Sequence, residues 1–129
     1  MGGRSTEHAV EMVERSALAA TESRADDVAE CFAANAELRD PFDGPVIIGR
    51  EAIREFFRAG VHMIDRLAVN GPIRVNADAA SAAAPMIAEV TVAGASLEMD
   101  TIDVFFFDEE GLFSAMHAFY GPTNARPRG

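Results

Sequence analysis

An α+β fold, in which three N-terminal helices pack on a curved, mainly antiparallel sheet, is predicted by the order of hydrophobic periods along the 129-residue chain. Helical spacing of apolar residues dominates the first half, interrupted by one short extended piece. From about residue 66 onward the pattern changes to the alternation of strands, broken by turn residues in the order expected of antiparallel hairpins. A sheet that curls over helices encloses a cone-shaped cavity, which suits an apolar ligand.

The first helix is expected over residues 6–20, where Ala9, Val10, Met12, Val13, Ala17 and Leu18 recur at three- and four-residue spacing between Glu7, Glu11, Glu14 and Arg15. Ser16 follows Val13 by three and Met12 by four, which sets a hydroxyl beside the apolar stripe. Residues 21–24 break the pattern, and a second helix is expected over 25–34 with Val28, Cys31 and Phe32 inward. Residues 37–45 read as an extended piece entering a turn, because Pro41 biases Asp40 toward extended geometry and Asp43-Gly44-Pro45 is turn chemistry. A brief strand at 46–48 leads through Gly49 into a third helix that ends near Gly60, with Ile53, Phe56 and Phe57 sharing a face.

Strands are expected over 66–76, 81–93, 97–107 and 112–120. Asp78, Ala93-Gly94-Ala95 and Asp108-Glu109-Glu110-Gly111 mark the turns between them. Residues 122–129 read as a loose tail. Neither a repeat nor a linker divides the chain, so residues 1–129 are expected to form one domain.

The formal net charge of −10 argues against nucleic acid as a partner, since phosphate binding needs clustered Lys and Arg. One cysteine, Cys31, precludes an intramolecular disulfide, fits a reducing cytoplasm and reads as a small buried core residue. No apolar run approaches the roughly 20 residues of a membrane span. The start of the sequence lacks the apolar core of a signal peptide, so a cytoplasmic protein with no membrane partner is expected. His8, His62 and His117 stand singly, and no phosphate loop, dinucleotide fingerprint, zinc spacing or nucleophile elbow is present.

What remains is a pair of carboxyls in apolar settings. On the strand over 97–107, alternation places Leu97, Met99, Thr101, Asp103, Phe105 and Phe107 on one face. A carboxyl among such neighbours is paired, solvated through a gap, or held neutral with a raised pKa. Asp40 shares a strand face with Leu38 and reads either as a cavity carboxylate or as a turn-capping aspartate. An ionised cavity carboxylate can move protons of carbon acids, and a neutral one can donate to an oxygen on which enolate charge develops.

Asn35-Ala36-Glu37-Leu38-Arg39-Asp40-Pro41-Phe42, Gly49-Arg50-Glu51-Ala52-Ile53-Arg54-Glu55-Phe56-Phe57-Arg58, Gly71-Pro72, Asp100-Thr101-Ile102-Asp103-Val104 and Phe107-Asp108-Glu109-Glu110-Gly111 together resemble bacterial ketosteroid isomerase (steroid delta-isomerase). That family lies within the nuclear-transport-factor-2-like (NTF2-like, SnoaL-like) superfamily, and the resemblance runs over about residues 6–124. It implies a homodimer that isomerises a β,γ-unsaturated 3-oxosteroid to its conjugated form without cofactor or metal. By position Asp40 matches the general base and Asp103 the neutral oxyanion-hole acid; this division between two aspartates is the established pattern of that family.

The family carries a tyrosine on its first helix as a second oxyanion donor, and Ser16 stands there in this chain. A serine falls short in reach, so either a water bound to Ser16 replaces the phenol or the cavity serves another carbonyl substrate. Phe32 and Phe57 also stand where relatives have tyrosine. Ala20, Phe56, Ala84, Met86, Ala88, Met99, Thr101, Met116 and Tyr120 are the residues expected to line a steroid-like ligand. Two other readings keep the fold: a cyclase or hydratase acting on a polyketide-like substrate, and a noncatalytic carrier of apolar ligands.

Overall fold

In the computed structural model, which describes residues 3–128, Ser5 opens the first helix by accepting a hydrogen bond from the His8 N–H at 3.0 Å. This helix, α1 (Thr6–Thr21), buries Ala9, Met12, Val13, Ala17 and Ala20 on one face. Its last residue is tied to the sheet, because Thr21 Oγ accepts from the Leu67 N–H at 2.9 Å. A second helix, α2 (Ala25–Glu30), is only six residues long.

The expected helix over 25–34 is therefore corrected at its C-terminal half: Phe32 to Arg39 form strand β1. Backbone pairing wins over helical spacing here, since the Phe113 N–H donates to the Cys31 carbonyl at 2.9 Å and Arg50 Nε donates to the Phe32 carbonyl at 2.8 Å. Strand β2 (Val46–Ile48) pairs with β1, and helix α3 (Arg50–Gly60) follows with Ile53 and Phe57 buried. Arg54 and Arg58 of α3 reach Glu30 and Asp26 of α2, which docks the two short helices together.

Strand β3 (Ile64–Val69) and the two-residue β4 (Arg74–Val75) replace the single strand expected over 66–76. The break falls at Gly71-Pro72, where Gly71 has φ +146° and proline offers no N–H to a ladder. Strand β5 (Ser81–Val92) and strand β6 (Ala95–Phe107) form the longest hairpin. Ala93 and Gly94, both at positive φ, make the two-residue turn between them. Strand β7 (Phe113–Phe119) runs antiparallel to β6 and parallel to β1, giving the order β2-β1-β7-β6-β5-β3.

Of the segment expected as a loose tail, residues 122–127 instead form a turn and a strand, while Gly129 lies outside the described residues. Pro122–Asn124 form one 3-10 turn, and strand β8 (Ala125–Pro127) pairs with Leu97 to Met99 of β6. Arg126 bonds Glu98 and Asp100, and Arg128 bonds Asp65 and Glu89. This strand adds to the edge of β6 that β7 does not reach, and ion pairs accompany it, so no apolar pattern announced it.

The helices cover one face of the curved sheet. Met12, Phe32, Leu38, Ile53, Phe105 and Phe113 pack there, each essentially inaccessible to solvent. Burying side chains of this size stabilises the fold by roughly 1.5–3 kcal/mol apiece. The Phe113 ring meets those of Phe32 and Phe105 at 5.1 and 4.8 Å between centroids, closing the narrow end of the layer. No described helix is long and apolar enough to cross a membrane.

Candidate active site

A cavity of about 170 Å³ remains between the helices and the inward face of the sheet. Two carboxyls reach it from different strands. Asp103 comes from β6, on the same inward face as Thr101, Phe105 and Phe107, all of them buried. The alternation that exposes Ile102 at 46% leaves Asp103 at 4%. Its partners across the ladder are Ala84 on β5 and Ala118 on β7, neither of which offers a polar atom from its side chain.

Burial in these surroundings, and after it the charge of Asp40, push the Asp103 carboxyl up to about 7. The Thr101 hydroxyl, donating to Asp103 Oδ1 at 3.1 Å, works in the opposite direction. Near neutral pH this acid therefore retains a large neutral fraction, which can donate a hydrogen bond.

Asp40 follows the last residue of β1 and shares the inward side of Leu38. It is half-buried, and Tyr120 Oη donates to its Oδ1 at 2.8 Å. Burial raises its pKa, whereas the Tyr120 hydrogen bond lowers it by favouring the carboxylate. The bond between Asp40 and Pro41 is cis. Among the described residues no backbone N–H is capped by this carboxyl, so Tyr120 is the side chain that answers it.

Ser16 reaches the cavity wall from α1, but its hydroxyl donates to the Val13 carbonyl at 2.9 Å. What it turns to the cavity is accepting capacity. A water can give one hydrogen to Ser16 and the other to an oxygen in the cavity.

Of the expected lining residues, Ala20 on α1, Met86 and Ala88 on β5, Met99 and Thr101 on β6, Met116 on β7 and the following Tyr120 stand on the wall. Two do not. Phe56 lies behind Phe57, with ring centroids 5.3 Å apart, and it is Phe57 that faces the cavity. Ala84 has the right strand parity but is fully covered, deeper in the core than Met86 and Ala88. Residues not expected include Val28, Ile64, Leu67 and Val90. The i, i+2 period of β5 from Met86 would have reached Val90, whereas the helix and β3 contributions depend on how the layers close.

Two of the three single histidines and the cysteine are occupied elsewhere, and His62 is exposed. His8 Nε2 meets the Gly111 carbonyl and His117 Nε2 meets Glu37, each at 2.8 Å. Cys31 is buried, and burial pushes its thiol up to about 11. No group of three or more metal-ligating side chains occurs among the described residues.

Residues 13–116 match the model of the SnoaL-like domain. The chain is 31% identical over 97 residues to a steroid Δ-isomerase of Nocardioides simplex, an alignment covering 74% of this chain and 75% of that one. It is also similar to the solved structure of the epoxide hydrolase/cyclase-like enzyme SalBIII, described in pyran ring formation in the polyether salinomycin. There the TM-score is 0.85 at 27% identity, with 95% of this chain and 97% of that one covered. The α+β arrangement of few helices on a curved sheet is the NTF2-like fold. Fold, matched span and relatives agree: the chain belongs to the SnoaL-like domain family, within which steroid Δ-isomerase is one relative.

Proposed function

We propose that this chain is a cofactor-independent isomerase that moves a proton within a β,γ-unsaturated 3-oxosteroid. The observation that carries the reading is two carboxyls in one cavity, both raised by burial but only one of them answered by a phenol. Asp40 receives a hydrogen bond from Tyr120, which favours its ionised form, while Asp103 is pushed up to about 7. Asp40 as the base takes the proton from the carbon between the carbonyl and the isolated double bond. The electron pair flows to the carbonyl oxygen, giving a dienolate, and Asp103 Oδ2–H donates to that oxygen. Asp40 then returns the same proton at the far carbon of the dienolate, and the product is the conjugated enone. The 31% identity to a steroid Δ-isomerase supports the substrate class.

Formation of the conjugated enone from 5-androstene-3,17-dione, followed by its ultraviolet absorption, tests the proposal. Replacing Asp40→Asn should cut kcat by about 10²–10⁴, the usual contribution of a positioned base. Absence of turnover, or turnover unchanged in Asp40→Asn, would rule it out.

A second reading is favoured by Ser16, whose hydrogen is spent on the Val13 carbonyl. With one acid and one base and no second side-chain donor to an oxyanion, the cavity also suits cyclase or hydratase chemistry on a polyketide-like substrate. In that case Asp103 protonates a leaving or receiving oxygen while Asp40 takes a proton from the attacking hydroxyl. Failure to bind the phenolic steroid equilenin would favour this reading, and binding without turnover would favour an apolar-ligand carrier.

A second copy of the chain is the proposed partner. Phe42 and Phe119 stack at 4.9 Å on the outer sheet face beside exposed Ile102 and Phe106, with Arg39 and Glu37 providing both charges in the middle. A face carrying both signs can answer itself across a two-fold axis. Light scattering should report a dimer, and Phe119→Asp should reduce it to a monomer; a monomeric wild-type chain would refute this.

A further inference from the structure

We propose that Thr101 is a positioning residue for Asp103: its hydroxyl occupies Oδ1 and so holds the acidic proton on Oδ2, the oxygen open to the cavity. This deepens the acid–base reading of the site and rests on it. A neutral carboxylic acid can carry its proton on either oxygen, and only one of the two arrangements points a donor at a ligand. Something must choose between them.

Thr101 and Asp103 lie two residues apart on β6, so their side chains stand side by side on the inward face, at 7% and 4% exposure. Thr101 Oγ1 donates to Asp103 Oδ1 at 3.1 Å, and among the described residues this is the only side-chain hydrogen bond Asp103 makes. With Thr101 as the donor, Oδ1 is the carbonyl oxygen of the neutral acid, because a proton placed there would face the threonine hydrogen. Within the same residues no sealed side-chain oxygen lacks a partner. Oδ2 has none, so it is not sealed and opens to the space that the cavity provides.

The flanking residues leave the task to Thr101. Along β6 the inward neighbours are Met99 and Phe105, and across the ladders Thr101 faces Met86 while Asp103 faces Ala84 and Ala118. Branching at Cβ limits the rotation of Thr101 in a strand, so the hydroxyl is held where it is needed. The titratable groups acting on Asp103 from the other elements are Asp40 after β1 and Tyr120 after β7; α1 contributes Ser16, which does not titrate in this range.

Infrared difference spectroscopy against Asp103→Asn isolates the Asp103 carboxyl band and its titration without needing turnover. In Thr101→Val, which keeps the shape and removes the hydroxyl, the titration midpoint should rise by about one pH unit. In Thr101→Ser it should stay where it is in the wild-type chain. With 5-androstene-3,17-dione, kcat should fall about tenfold in Thr101→Val and recover in Thr101→Ser, with KM little changed in both.

An unchanged midpoint in Thr101→Val, or an equal loss in the serine variant, would overturn the proposal. Should Thr101→Val not fold, Thr101→Ala against Thr101→Ser makes the same comparison. If the wild-type chain turns over no 3-oxosteroid, the isomerase reading fails by itself, and the infrared midpoints still decide what Thr101 does.

Discussion

Tyr120 Oη lies 2.8 Å from Asp40 Oδ1 and donates to it across 80 residues of chain. It is the one tyrosine of the sequence. Its phenol pulls the Asp40 pKa down against the upward push of burial, while burial, and after it the charge and hydrogen bond of Asp40, raise the phenol's own pKa well above the usual range. Removing the hydroxyl in Tyr120→Phe should let the Asp40 pKa rise. The base proposed for this site must be ionised to act, so the acidic limb of the kcat profile should move to higher pH, with a loss of about tenfold at pH 6. A pH–rate profile superimposable on that of the wild-type chain would separate Tyr120 from the base.

Asp103 makes the fold itself pH-dependent. Its folded pKa, about 7, lies above its ordinary value of 3.8, so the folded chain holds this proton more tightly than the unfolded one. The stability it contributes is fully present below about pH 4 and is lost as pH rises through about 7. Across that window urea unfolding should show a decline on the order of a few kcal/mol, to which Asp40 adds with the same sign. In Asp103→Asn the decline should be much shallower. Equal slopes in the two proteins would mean that Asp103 is already ionised at low pH.

Ser16 is expected to act through accepted hydrogen bonds. Ser16→Ala should therefore lower kcat only several-fold, the cost of losing a support for water and well below the roughly 10²–10³ of a direct oxyanion donor. Measured kcat for Ser16→Ala against the wild-type chain checks this, and a loss of 10³-fold would show that the hydroxyl donates directly.

The terminal strand should matter to stability through pairing more than through charge. Exposed ion pairs such as Arg126 with Asp100 are worth about 0–1 kcal/mol each and weaken in salt. Ending the chain after Gly121 also removes the β8 ladder from Leu97 to Met99, next to the wall residue Met99. The shortened chain should melt several degrees lower, with most of that difference surviving 1 M NaCl, a concentration at which screening reaches about 3 Å. Thermal melts at both ionic strengths decide between pairing and charge.

How much of this was legible in the sequence depended on whether the controlling contacts were local. Helix α1 and strand β6 carry unbroken periods, and both were readable from spacing alone; the same alternation put Thr101 beside Asp103. Cys31 and Phe32 continue the helical spacing of Val28, and what ended the helix at Glu30 was a backbone bond from Phe113 to Cys31, far along the chain. Ala125-Arg126-Pro127 has no apolar period, so its strand followed from the open edge of β6 and from acidic partners on β3, β5 and β6. The pairing of Tyr120 with Asp40 left no mark in spacing, because it needs β1 and β7 to be neighbours. Phe56 and Phe57 differ by about 100° around α3, a rotation that apolar content alone does not resolve.

The parallel pairing of β1 with β7 also bears on how the molecule comes into being during synthesis. Asp40 leaves the ribosome long before Tyr120, and for that interval the strand before it has only the three residues of β2 to pair with. Its other edge stays open until the distant strand is made. Closing so long a loop is slow, and contacts of this separation form late. Asp40 and its hydroxyl partner should thus be brought together near the end of folding, so that a nascent chain ending before Tyr120 carries the carboxyl without the phenol.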